Sequence, residues 1–293
     1  MCKYAAPLHR CRVQPGQPSR TALGAAFHRA THQILDGGSI FSDPLAARIL
    51  GPDAEAAVRS APDDPSQRRL RRFIAVRTRF AEDALAAAVE RGVRQLVVLG
   101  AGLDTYAYRT SLAETLRIFE VDYPATQAWK RQRLAEVAIA IPRQLTFVPL
   151  DFERESLADG LSAAGFDPAQ RTFFTWLGVV PYLSEESVLS TLGFIARLPG
   201  SAHVVFDYAN PPDSRANPDE YTTACETLAA RTASFGEDFK CFFETDLLRA
   251  RLAALGFCEV EDLGPALIRE RYFANRGSSS RDRGGHVVRA ATV

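Results

Sequence analysis

Two short runs of this chain hold residues whose types and spacing suit the gripping of a nucleoside. Leu96-Val97-Val98-Leu99 leads into Gly100-Ala101-Gly102-Leu103-Asp104-Thr105, and Phe119-Glu120-Val121-Asp122 follows downstream. An apolar strand running into a Gly-x-Gly turn, with carboxylates closing the next strand, is how an open α/β sheet holds a nucleoside-containing cofactor. The first glycine permits a tight turn. The second removes a side chain so that a ligand can approach the backbone. Asp122 could accept both hydroxyls of a ribose. A dinucleotide fingerprint has a third small residue where this chain has Thr105, which weakens a nicotinamide reading without excluding it. There is no G-x-x-x-x-G-K-[ST], so a P-loop is unsupported.

These residues need a sheet to position them, and the surrounding pattern predicts one. Strands are expected at 94–99, 116–121, 145–150, 171–177, 202–208 and 257–262, with a last one at 286–293. Ser19 is a predicted N-cap for a helix to about Leu35, ended at Gly37-Gly38. Asp43-Pro44 opens a short helix. Residues 51–66 read as a connection, and a long helix runs from Ser66 to Arg91 with Gly92 as its stop. Further helices are expected near 123–139, 153–164, 184–198 and 244–255. Such alternation implies an α/β fold with a mainly parallel sheet and helices on both faces. Residues 210–243 open with Asn210-Pro211-Pro212, lack a clear strand, and read as an insertion beside the ligand edge, expected to act as a lid. The chain 1–293 is expected to be a single domain. It divides into a flexible basic arm (1–18), a helical cap (19–92) and a Rossmann-like core (93–293) carrying the insertion near 210–243.

Composition narrows the classes of function. The 293 residues are 46% hydrophobic, which allows a sizeable core. Lys plus Arg (35) equals Asp plus Glu (35), so a global basic field for nucleic acid is absent. No run reaches the length of a membrane span. The five cysteines (Cys2, Cys11, Cys225, Cys241, Cys258) are scattered, odd in number and without C-x-x-C spacing. That argues against a disulfide scaffold or a zinc site and for reduced thiols in a cytoplasmic protein. The first 35 residues carry Arg but no Asp or Glu; Ser is scarce and no apolar segment for secretion is present. Oligomeric state is left open.

Taken together, several motifs carry a resemblance. They are Thr21-Ala22-Leu23, Asp43-Pro44-Leu45-Ala46, Arg77-Thr78-Arg79, the run Val97 to Thr105, Tyr108-Arg109, Glu120-Val121-Asp122 and Gly178-Val179-Val180-Pro181-Tyr182-Leu183. In this order they resemble the leucine carboxyl methyltransferase family, whose bacterial members are S-adenosylmethionine-dependent methyltransferases. The resemblance implies a class I methyltransferase fold: seven strands, one antiparallel near the C-terminal end, capped by N-terminal helices. It implies S-adenosyl-L-methionine as cofactor. Arg77 matches the arginine that pairs with the cofactor's methionine carboxylate, where a bidentate guanidinium makes physical sense. The alternative is a solvated helix arginine among Arg68, Arg69, Arg71 and Arg72. Arg79 does not share Arg77's helix face.

The same resemblance has Gly100, Ala101 and Gly102 exposing backbone to the cofactor and Asp122 as the ribose acid. Glu120, its same-face neighbour, either assists or caps the sheet edge. Asp151 matches an acid near the adenine, with Phe152 beside it in the cofactor set; otherwise Asp151 N-caps the helix at 153–164. One departure stands out. Many relatives carry Glu where this chain has Leu177, so a carboxylate that would help hold the cofactor is missing. The family's basic residue in the first helix is Arg29 or His32.

Methyl transfer from a sulfonium is an in-line displacement. A carboxylate acceptor is already anionic and leaves the protein to align reactants and exclude water, whereas a phenol or alcohol wants a general base. No Ser-His-Asp or Cys-His constellation is evident. Tyr182 and Arg109 are the candidates for catalysis. Arg109, Tyr182, Tyr208 and Asn210 are candidates for substrate contact, the last three near the carboxyl ends of the fourth and fifth strands. His28 and His32, spaced i and i+4, could reach cofactor or substrate; as a metal pair they lack a third ligand. His203 reads as a core histidine. Phe235, Phe239, Phe242 and Phe243 read either as core or as an aromatic lining. The expectation is an S-adenosylmethionine-dependent O-methyltransferase acting on a small molecule, with a carboxylate favoured by resemblance alone. Methylation of a protein's C-terminal carboxylate, an NAD-dependent oxidoreductase, and a non-catalytic cofactor binder (motivated by Leu177) stay open.

Overall fold

The computed structural model describes residues 19–152, 154–212, 239–273 and 284–292. The expected arm at 1–18 and most of the expected lid, including Phe235, lie outside them. Seven strands form one sheet in the order β3-β2-β1-β4-β5-β7-β6. They are β1 (Gln95–Leu99), β2 (Arg117–Asp122), β3 (Leu145–Pro149), β4 (Thr172–Trp176), β5 (Ala202–Ala209), β6 (Glu259–Leu263) and β7 (Gly285–Ala291). β1 to β5 pair in parallel, while β7 slots antiparallel between β5 and β6. Each expected strand is present within one or two residues of its predicted ends.

The sheet is buried on both faces, which is why its central strands read as unbroken apolar runs. Val97, Leu99, Phe119, Val121, Phe174, Trp176, Val204 and Phe206 share one core. It packs against α6 (Leu157–Ala163), α7 (Glu185–Ala196) and α8 (Thr245–Leu255). Their strand neighbours Leu96, Val98, Ile118, Phe173 and Val205 turn to the other face. There they meet Val76, Phe80, Ala84 and Leu85 of α3 (Pro65–Glu90). A third cluster ties α1 (Arg20–Leu35), through Ala26 and Ala30, to Leu103 of the glycine loop and Leu134 of α5 (Pro124–Glu136). No helix among the described residues is long and apolar enough to cross a membrane.

Local capping follows the sequence in places. Ser19 caps α1 by accepting from the Ala22 N–H, and Asp64 with Pro65 at the first turn starts α3. Four expectations need correction. Asp43-Pro44 begins a turn, with Asp43 accepting from the Leu45 N–H at 3.1 Å, that leads into a 3₁₀ segment, Arg48–Leu50. The connection at 51–66 contains a helix, α2 (Pro52–Arg59), with Asp53 and Glu55 in its first turn. The helix expected from 153 starts at Leu157, capped by Ser156, so Asp151 is not its N-cap. A short helix not foreseen, α9 (Pro265–Tyr272), follows β6, and Pro265 after Gly264 was its signal. The remaining element, α4 (Tyr106–Arg109), is a single turn after the glycine loop.

Candidate active site

Parallel order β3-β2-β1-β4-β5 brings five loops to one edge. Along it lie Asp151 after β3, Asp122 ending β2, Gly100 to Gly102 after β1, Gly178 after β4, and Asp207 to Asn210 closing β5. Chain order reverses between β1 and β4, the place where open α/β sheets leave a crevice for ligands.

Gly100 and Gly102 have φ of 65° and 46°, a region that favours glycine. The Gly100 and Ala101 N–H groups donate to the Val121 carbonyl at 2.8 and 3.1 Å, and the Gly102 N–H donates to the Asp122 carboxylate. The space cleared by the glycines is used by protein. A Cβ on Gly100 would fall on Val179, and one on Gly102 would come within 2.9 Å of the Ala22 Cβ on α1. The helical cap thus seats directly on the turn. Asp122 also accepts from the Tyr123 N–H at 2.6 Å. Burial pushes its carboxyl pKa up, and these two backbone donors pull against that shift.

Glu120, one pleat deeper on the same face, is 1% exposed and bound to Lys130 Nζ at 2.7 Å. The Tyr108 hydroxyl donates to the same oxygen at 3.2 Å. Burial raises Glu120 to about 7 against the pull of Lys130. It braces β2 on α5 and does not reach the edge.

Arg77 comes from α3 and reaches the end of β4. Its Nη1 donates to Asp207 Oδ2 at 2.8 Å, while Asp207 Oδ1 accepts from the Gly178 N–H at 2.5 Å. Arg77 is 9% exposed, and its Nε is buried without a partner. Among the other arginines of that stretch, Arg71 and Arg72 pair with Asp36, Arg68 with Asp63, and Arg79 with Asp83 at the surface. Only Arg77 among these five reaches the strand ends.

On the first helix, both basic candidates have protein partners. Arg29 donates to Asp43 at 3.1 Å and to the Leu103 carbonyl at 2.6 Å. His32 pairs with Asp36 at 3.0 Å and accepts from the Ile40 N–H at 3.4 Å. Both are engaged. His28 is the basic side chain of α1 acted on by Arg71 and Arg77; burial first, then those two charges, lower its pKa to about 4.

Arg109 sits among buried partners. It forms a two-pronged pair with Glu82 on α3, donates to Thr105 at 3.1 Å, and lies 4.9 Å from the Phe41 ring centroid. Thr105 in turn donates to Asp43 at 2.7 Å. Arg29, Asp43, Thr105, Arg109 and Glu82 therefore form one network that fastens the cap to the glycine loop. Sequence reading missed its hub, Asp43, because its partners come from two other segments, Arg29 on α1 and Thr105 with Arg109 after the glycine loop.

The other candidates divide. Tyr182 stands on the turn after β4 with its ring 5.2 Å from Phe239, edge-on, and Phe239 is 6.0 Å from Phe242. The Lys240 and Cys241 N–H groups donate to the Pro181 carbonyl, which lays that strip along the β4 end. Phe243 instead is 2% exposed and packs on Tyr208. The Tyr208 hydroxyl is buried with Asp262 at 2.8 Å and Thr245 and His286 at 3.1 Å. Asn210 donates to the Phe243 carbonyl and Thr245, and receives from Gly284 N–H and His286. Tyr208 and Asn210 thus belong to one buried hydrogen-bonded network. Asp151 lies in the turn after β3, its N–H on Glu155 at 2.7 Å, and Phe152 packs against the α6–α8 core. His203 stacks on Phe173 near the opposite end of the sheet.

Comparison with known proteins agrees with this geometry. Residues 22–196 match the leucine carboxyl methyltransferase family. A Bacillus subtilis relative, YktD, carries the name S-adenosyl-L-methionine-dependent methyltransferase and is 30% identical over 90% of this chain and 94% of its own length. A Streptomyces coelicolor protein of the same designation is 39% identical over 60% of this chain and 63% of its own. Among solved structures, the CurJ carbon methyltransferase superposes with a TM-score of 0.50 at 16% identity, covering 94% of this chain and 68% of that one. That last likeness speaks for the fold. With glycine turn, strand-end acid and helix arginine meeting at one edge of a seven-stranded sheet, the chain belongs to the leucine carboxyl methyltransferase family.

Proposed function

We propose that this methyltransferase moves the methyl group of S-adenosyl-L-methionine onto an oxygen of a small anionic metabolite, with a carboxylate as acceptor. The observation that carries the reading is Arg77. A guanidinium with a buried donor lacking any partner, set beside Gly178, suits the carboxylate of a zwitterionic amino acid. Arg77 would hold the amino-acid carboxylate and Asp122 the ribose hydroxyls. Asp151 and Phe152 are assigned to the adenine side. When bound, the sulfonium supplies an electrophilic methyl group; the chain's task is to align the two reactants and keep water out. The cap of residues 19–92 does the shielding, seated on the loop through Ala22 and the Asp43 network.

Among the described residues, the histidines support this acceptor class. His28 has a pKa near 4 and is a weak base. His32 and His286 are bound to acids, and His203 stacks on Phe173. An acceptor that is already anionic suits such a site better than a phenol or alcohol. The test is turnover to S-adenosylhomocysteine with panels of carboxylic acids and phenols, followed by mild base. Products that release methanol in base are esters and support the reading. Base-stable ethers as the only products would overturn the acceptor class. Wild-type protein that binds neither S-adenosylmethionine nor S-adenosylhomocysteine would overturn the donor.

A further inference from the structure

Leu177, just after β4, is uncharged, and a carboxylate stands at the same level one strand away. β4 and β5 pair with Trp176 opposite Phe206, so the next positions, Leu177 and Asp207, are neighbours across the ladder. Asp207 is 3% exposed and both its oxygens are occupied. One accepts from Arg77 Nη1 at 2.8 Å and the other from the Gly178 N–H at 2.5 Å. Gly178 has a φ of 75°, and a Cβ there would stand 2.5 Å from Arg77 Nη2 and 3.1 Å from Cζ. The guanidinium therefore lies directly on the glycine. It is gripped by Asp207 along the edge that carries Nη1, while Nε is left buried with no partner.

A guanidinium offers two forks, and Nε–H together with Nη2 makes the one on the far side from Nη1. Resting on the donor reading above, we infer that Asp207 is a positioning residue for the amino-acid end of the cofactor. It balances the buried charge of Arg77. It turns Arg77 so that the Nε–Nη2 fork faces the incoming carboxylate. Asp207 itself touches no ligand in this arrangement; it acts through Arg77. Gly178 is part of the device, because only a residue without a side chain lets the guanidinium settle there.

Ligand truncation separates this role from a structural one. S-adenosylhomocysteine carries the amino-acid carboxylate; 5′-methylthioadenosine keeps the adenosine and sulfur without it. Both are titrated calorimetrically into wild type, Asp207→Asn and Asp207→Glu, with thermal midpoints recorded alongside. The expected result is a loss of about tenfold or more in S-adenosylhomocysteine affinity, the scale of one charge-assisted contact. Methylthioadenosine affinity stays within about twofold, well under the tenfold that 1.4 kcal/mol represents. The Glu variant keeps the charge but not the reach, so it shows the same selective loss should the Asn variant fail to fold. Equal losses for both ligands, or no loss for either, would overturn the positioning role. Wild-type protein that binds neither ligand would refute the donor reading and this role with it.

Discussion

His28 provides the sharpest quantitative handle on the site. It is 8% exposed, and burial together with Arg71 and Arg77 lowers its pKa from 6.5 to about 4. In the unfolded chain the imidazole keeps its ordinary value near 6.5. Between those two values the unfolded chain binds a proton that the folded protein refuses. Stability from this residue is therefore fully present above pH 6.5 and is lost as pH falls through the window toward 4. With about 1.36 kcal/mol for each tenfold in the protonation equilibrium, the loss reaches about 2 kcal/mol at pH 5 and about 3 kcal/mol at pH 4. His28→Gln removes the titration and keeps a polar side chain of similar length. Urea unfolding of both proteins, followed by circular dichroism at several values between pH 7 and 4, isolates the term by difference. Asp36, held near 2 by its arginines and His32 against the opposing effect of burial, contributes equally to both curves. The stability of His28→Gln is expected to fall less steeply, the gap to wild type closing by about 2 kcal/mol from pH 7 to pH 5. Parallel curves would refute the placement of a neutral imidazole beside Arg77.

Three further outcomes are expected. Asp43→Ala leaves Arg29 and Arg109 without their shared acid in a buried network and should cost roughly 3–5 kcal/mol in urea unfolding; an unchanged midpoint would show that the network does not hold the cap. Asp122→Ala removes the acceptor of the Gly102 and Tyr123 N–H groups and the proposed ribose contact. Binding of both S-adenosylhomocysteine and methylthioadenosine should weaken by about 1.5–3 kcal/mol, and retained affinity in a folded variant would remove Asp122 from the site. Gly100→Ala places a Cβ against Val179 at a φ of 65° and should lower stability by ~1–2 kcal/mol from the left-handed backbone alone; a thermal midpoint equal to wild type would contradict the tight seating of the β4 loop on the turn.

Local chemistry accounts for what could be read without a structure. The strands announced themselves because a parallel sheet covered on both faces needs consecutive apolar residues, as in Leu96 to Leu99 and Phe173-Phe174. Ser19 was readable as a cap because capping involves neighbours in the chain. Helices α2 and α9 were missed where short length and Pro-, Asp- or Gly-rich flanks mask the helical period. Residues 213–238 of the expected insertion lie outside the described segments.

The sequence by itself determined the alternation of strands and helices, the Gly100–Gly102 turn, and the acid at the end of β2. Each depends on residues close together in the chain, so periodicity and turn chemistry suffice. Tertiary structure alone decided which polar side chains are paired inside the fold. Arg29 and His32 matched a family pattern, yet Asp43 and Asp36 claim them. Arg109, Tyr208 and Asn210 carry suitable chemistry and are bound inside the protein. Arg77 meets Asp207 across 130 residues of chain. Such pairings are set by how α3 crosses the sheet and by which strands become neighbours. Charge balance in a buried site is a property of that three-dimensional arrangement, and no local spacing encodes it.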